Sequence, residues 1–148
     1  INNEDIIYTP DVTVFKTDTG RPKLMDEKDW YEVDVITCAA PNLRERPSNR
    51  FNQGNGDRAV KVSDRELLEI HKKRLTRILD VAVLNGDDVV ILGAFGCGAF
   101  QNKPEVVARA AKEVIADYPH AFKTIEFAVY CPPRDDTNFK VFKRVMGA

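Results

Sequence analysis

Cysteine is scarce in this chain of 148 residues: there are three, Cys38, Cys97 and Cys131, an odd number set far apart. That excludes a disulfide framework and a zinc knuckle, and suits small apolar fillers in a reducing compartment, so a cytoplasmic location is expected. An excess of either charge is also lacking. The 22 basic and 23 acidic residues leave a formal charge of −1, which argues against a protein that coats nucleic acid. No apolar run reaches membrane-spanning length: the longest uncharged stretch, Val89 to Asn102, is broken by Gly93, Gly96 and Gly98. The chain starts at Ile1 without a charged-then-apolar leader, so it is expected to begin inside something longer or after a cut. There is no internal repeat, and with 43% hydrophobic residues one domain over 1–148 is expected.

What is present reads as alternating strands and helices. Asp11 to Lys16 alternates at period two, a half-buried strand, with Ile6-Ile7-Tyr8 as a short partner and Thr9-Pro10 as the break. Trp30 to Cys38 is a second strand, stopped by Pro41. Residues 43–62 have no period and are rich in Arg, Asn, Gly and Pro, a lid or a disordered loop. Ser63 and Glu66 form a capping box, and Leu68, His71, Leu75, Ile78 and Ala82 supply the apolar face of the helix that follows. Asp87 to Leu92 is a buried strand. A helix starts at Pro104, with Asn102 and Glu105 as capping candidates. Thr124 to Cys131 is another strand, and Asn138 to Met146 a last helix with Phe139, Phe142 and Val145 inward. That order predicts an α/β layered sheet, short of strands for its class.

The informative stretch runs from Leu92 through Gly93-Ala-Phe-Gly-Cys-Gly-Ala-Phe100 to Asn102, between a buried strand and a helix start. Ligands of open α/β sheets sit beyond the carboxyl ends of strands, and glycines there let backbone N–H groups approach phosphate oxygens. Three familiar motifs fail. A dinucleotide fingerprint needs glycine where Gln101 stands, a P-loop needs lysine where Ala99 stands, and a nucleophile elbow around Cys97 needs glycines in place of Phe95 and Ala99. From the residues alone, a tight turn that merely packs well stays open beside a phosphate cradle.

The same segment, with Pro104-Glu105 and Val107-Ala108 after it, resembles the microbial-type poly(ADP-ribose) glycohydrolase family. So do Tyr8-Thr-Pro-Asp-Val-Thr-Val-Phe15, Val35-Ile-Thr-Cys-Ala-Ala-Pro-Asn42, the Arg74…Ile78-Leu79 helix and Phe127-Ala-Val129. The resemblance spans nearly the whole chain, in the order expected of the family's C-terminal portion. It implies a macrodomain-like mixed sheet flanked by helices that binds ADP-ribose at the strand ends. Gly93, Gly96, Cys97, Gly98 and Ala99 would wrap the diphosphate and Phe100 would pack on the distal ribose, with Asn42 and Tyr130 on the pocket wall. No metal or other cofactor is implied.

The sequence departs from the family in one respect. The catalytic signature, three glycines followed shortly by Gln-Glu-Glu, is absent from these 148 residues. Glycosidic hydrolysis generally needs a carboxyl group as acid or base. Glu45, Glu66 and Asp136 read as solvated loop or cap residues, so no catalytic residue is assigned. The expectation is an ADP-ribose-binding macrodomain that hydrolyses when an N-terminal segment, in the same protein or as a separate chain, is present. A non-catalytic reader of ADP-ribose and a hydrolase using Cys97 are the alternatives. His71 is expected as a packed, hydrogen-bonded core residue, and the basic run His71-Lys72-Lys73-Arg74 with Arg77 as a solvated face.

Overall fold

The computed structural model describes residues 5–48 and 59–147; half of the expected 43–62 loop, residues 49–58, lies outside them. Strand β1, Ile6–Val14, pairs antiparallel with β2, Tyr31–Cys38. The stretch expected as a separate partner strand is instead the first half of β1. The chain passes through Pro10 and Asp11 as a bulge between Thr9 and Val12, where Asp11 takes φ +55°. The carboxylate of Asp34 on β2 accepts the Asp11 N–H at 2.9 Å, which recovers a donor that the bulge takes out of the ladder.

Helix α1, Asp64–Asn85, opens on the expected capping box: Ser63 Oγ accepts the Glu66 N–H while Glu66 accepts the Ser63 N–H. It ends at Gly86, whose φ of +80° suits a residue without a side chain. Strand β3, Val89–Leu92, pairs in parallel with β4, Thr124–Phe127. β4 stops four residues before the expected Cys131 because its partner ends at Leu92, which lies opposite Phe127. Helix α2, Pro104–Ile115, starts on proline with Lys103 as an N-cap that contributes no side-chain bond. Neither Asn102 nor Glu105 caps it, because Asn102 lies one residue early and turns inward. In α3, Thr137–Met146, Phe142 is buried and Val145 packs inward as expected, with Val141 buried beside them, whereas Phe139 faces solvent, contrary to expectation.

Two hydrophobic clusters order these parts. The larger joins Leu68, Leu75, Ile78, Leu79 and Ala82 of α1 to Val90 of β3 and to Ala110, Ala111 and Val114 of α2, with Ile36 and Cys38 of β2 at its edge. The smaller sets Val107 and Ala108 of α2 and Phe142 of α3 beneath Ala94, Phe95 and Cys97. All three helical faces thus serve one side of the strands. The four strands form two separate two-stranded sheets among the described residues, where one mixed sheet was expected.

Candidate functional site

The glycine segment leaves β3 at Leu92 and reaches α2 at Pro104 through two tight turns, closed by Cys97 N–H to Ala94 O at 2.9 Å and Gln101 N–H to Gly98 O at 3.0 Å. Phe95 and Cys97 point down into the smaller cluster, while Gly98 and Ala99 stay exposed above it. Alternation of anchor and exposed residue fixes the loop without covering its outer face.

Asn102, buried to 2% exposure, locks this arrangement. Its amide nitrogen donates to the carbonyls of Pro41 at 2.7 Å, Gly96 at 2.9 Å and Phe100 at 3.3 Å. All three partners are acceptors, so the amide orientation is settled and its oxygen must accept. It accepts from Nε2 of His71 at 2.9 Å. Nε2 of His71 therefore carries a proton, and the ring stands edge-on to Phe95. Burial, and then the nearby Arg74 charge, hold its pKa below the usual histidine value, although the Asn102 bond opposes them. Arg74 is buried as well and donates to Ala39 O at 2.6 Å. The expected core role of His71 is what the structure has. The expected solvated basic face is corrected at His71 and Arg74, which brace the chain after β2; Lys72 remains outside, 3.0 Å from Glu113.

Two loops therefore meet at the carboxyl ends of β2 and β3, with Leu43 N–H donating to Phe100 O at 3.0 Å. Gly96 is required where they touch: its φ is +77°, and a Cβ there would lie 2.6 Å from Asn102 Nδ2 and 2.8 Å from Ala40 Cβ. Gly98 is different, because a Cβ there would meet no atom within 4 Å. Among the described residues no protein group accepts the N–H of Gly96, Gly98, Ala99 or Phe100. Successive uncommitted amides of this kind form an anion-binding concavity. At its rim the Arg44 guanidinium lies 5.4 Å from the Phe100 ring centroid, held by Asn42 Oδ1 at 3.1 Å and Pro47 O at 2.7 Å. Phe100 is half-buried and belongs to neither cluster. Asn42, expected on the wall, is buried and spends its amide on Arg44 and Pro47, so its part is to shape the rim. Tyr130 lies beyond β4, largely exposed. Arg44 and Asn102 were missed as site residues in the sequence; their partners lie on other segments.

Nucleophilic chemistry at Cys97 does not fit. Burial, and secondarily the charge of Glu105, push its thiol up to about 12, far from the reactive thiolate range. The only histidine near it in the fold, His71, is committed to Asn102. Two of the stray carboxylates are engaged elsewhere: Glu66 by Ser63, and Asp136 by Lys140 at 3.0 Å. No group of three His, Cys, Asp or Glu among the described residues is placed to hold a metal ion. No helix among them is long and apolar enough to cross a membrane.

No protein-family model matches this sequence, and no curated protein does. Solved structures do. The poly(ADP-ribose) glycohydrolase of Deinococcus radiodurans in complex with ADP-ribose is 29% identical over 96% of this chain, with a TM-score of 0.76, and 52% of that chain is covered. A second crystal form of that complex is 30% identical over 97% of this chain and 53% of its own, with a TM-score of 0.75. The glycohydrolase of Thermomonospora curvata is 28% identical over 96% of this chain and 47% of its own, with a TM-score of 0.73. In sequence and in fold the chain is thus similar to the microbial-type poly(ADP-ribose) glycohydrolases, and it spans about half the length of the solved members it matches.

Proposed function

We propose that this chain is the ADP-ribose-binding part of a poly(ADP-ribose) glycohydrolase-type macrodomain. The diphosphate lies on the loop Gly93, Gly96, Cys97, Gly98 and Ala99, and Phe100 packs on the distal ribose. The supporting observation is the run of uncommitted backbone amides at Gly96, Gly98, Ala99 and Phe100, on a turn locked from beneath by Asn102. Cys97 contributes its backbone and its buried anchor, not its thiol. Arg44 adds a fixed positive charge at the rim, complementary to a diphosphate. Cleavage of the glycosidic bond needs a carboxyl group that these 148 residues do not supply in the family's pattern, so hydrolysis depends on a segment outside them.

The test is calorimetric titration of ADP-ribose into the chain and its Gly98→Val variant. A Cβ at position 98 meets no atom within 4 Å, so the fold is expected to be kept while the phosphate approach is blocked. Binding is expected to disappear in the variant; unchanged affinity would remove the loop from the site.

A further inference from the structure

Three carbonyls and one imidazole meet at Asn102. Its amide nitrogen joins the segment after β2, through Pro41, to the turn after β3, through Gly96 and Phe100. Its amide oxygen has one partner among the described residues, Nε2 of His71 on α1. If that amide turned over, its oxygen would face three carbonyl oxygens, so the imidazole proton favours one orientation only. A further bond, Leu43 N–H to Phe100 O at 3.0 Å, joins the same two segments. Pro41, Gly96, Gly98, Ala99 and Phe100 belong to neither hydrophobic cluster. The junction rests on hydrogen bonds more than on packing, and such regions open locally at less cost than a core.

His71 is fully buried, and its other nitrogen, Nδ1, has no hydrogen-bond partner among the described residues. A second proton would turn Nδ1 into a buried donor with nothing to receive it, and would add a charge to the interior. Arg74, on the same helix and also buried, is the charged group that acts on the ring, and it repels that second charge. Nothing acidic offsets it. The glycine turn faces the ring with Phe95 and Asn102, and Cys97 on that turn keeps its proton, its thiol being pushed up to about 12. On α2, Glu105 is paired with Arg144 at 3.5 Å and Glu113 with Lys72 at 3.0 Å. The segment after β2, which Arg74 and Asn102 hold, brings Ala39 to Asn42, none of them titratable.

A doubly protonated ring therefore has no place in the closed fold, and burial, then the Arg74 charge, hold the pKa of His71 down accordingly. In water the same ring takes up its proton at the ordinary value, near 6.5. Acid thus favours whichever arrangement lets the ring reach water. That arrangement breaks the bond to Asn102, leaves the amide oxygen without a donor and loosens the amide that joins the two segments. Leu75, Ile78, Leu79 and Ala82 lie farther along α1 in the larger cluster and have no need to move.

We propose that His71 is a proton-operated latch on the glycine turn: a second proton, taken up in mild acid, drives its ring off Asn102 and lets the turn part from the segment after β2 while the helices stay packed. His71 is a positioning residue here, acting on the turn through Asn102. One proton gained only by the open form raises the open fraction by up to about tenfold per pH unit, and by about thirtyfold between pH 7.5 and 5. The inference concerns the closing of the turn and stands whether or not ADP-ribose binds there.

The experiment is NMR on the ligand-free 148-residue chain. Long-range proton–nitrogen spectra follow the rings of His71 and His120 from pH 7.5 to 5, and amide hydrogen exchange, corrected for its intrinsic pH dependence, is read over the same range. The amides of Leu43, Gln101 and Asn102, bonded within the turn or across the junction, are expected to lose about thirtyfold in protection as the His71 ring charges. Those of residues 75–82 are expected to lose hardly any. His71→Gln, which still donates to Asn102 but takes up no proton, is expected to stay closed at pH 5. His71→Leu, which donates nothing, is expected to be as open at pH 7.5 as the parent is at pH 5, with circular dichroism checking its fold. Turn protection that is the same at both pH values overturns the proposal. So does a His71 ring that charges while the turn stays closed, and so does a loss shared equally by residues 75–82. These three outcomes are read on the parent chain and hold even where a variant fails to fold. A folded His71→Leu with its turn still closed overturns the proposal as well.

Discussion

Phe100 and His71 sit on opposite sides of the same turn and have different tasks. Phe100 belongs to neither hydrophobic cluster and its ring meets the Arg44 guanidinium, so removing it opens no core cavity. Phe100→Ala is expected to leave the melting temperature nearly unchanged and to weaken ADP-ribose by about 1 kcal/mol of lost ring packing, with ADP hardly affected. Titration of both ligands checks this, and equal losses would retire the ribose role. His71 lies beneath the turn, fully buried, with Nε2 donating to Asn102. Its pKa is depressed on folding, mainly by burial. The stability this gives is complete above its ordinary value near 6.5 and is lost as pH falls toward the folded value, because the unfolded chain takes up the proton first. Glutamine can still donate to Asn102 but does not titrate there. Melting temperatures between pH 7.5 and 5 should therefore fall less in His71→Gln than in the parent; equal falls would show that His71 is not the group responsible.

Among the elements, α1 matters most for the site because it carries His71 and Arg74 on the same face as Leu75 and Ile78. Its capping box is local, and Ser63→Ala removes the hydroxyl that accepts the Glu66 N–H and donates to its carboxylate, leaving the backbone bond at position 63. The loss is expected to be about 1 kcal/mol of stability in denaturant unfolding, with ADP-ribose affinity unchanged, since the bonds of the box join Ser63 and Glu66 to one another. Impaired binding without a change in stability would place the cap in the site. The box and the apolar spacing of α1 were readable from the chain because they depend on residues three or four apart. The role of Asn102 was not, because its amide reaches Pro41, 61 residues away, and His71, 31 residues away. Phe139 misled for a related reason. Periodicity places it on a stripe with Phe142, but only packing against α2 decides which edge of that stripe is covered.

For the whole molecule, the parts gather on one side of a divided sheet, with the glycine turn at one end of the division. No paired carboxylate of the family's catalytic pattern lies in these 148 residues. The chain by itself is therefore expected to release no ADP-ribose from poly(ADP-ribose), even where it binds the free ligand. Chromatography of the reaction products checks this, and turnover at the rate of an intact glycohydrolase would require another acid, with Glu126 and Asp136 the first to replace. Composition, helix starts, the strand–glycine–helix order and the family resemblance were all determined by the amino-acid sequence, since each rests on residue type and short-range spacing. Tertiary structure alone decided that β1 runs on through its bulge, that Arg74 and His71 turn inward, and that the strands stand in two sheets rather than one. Those outcomes depend on which distant segments meet, and hydrogen bonds such as Asn102 to Pro41 exist only once the chain has closed on itself.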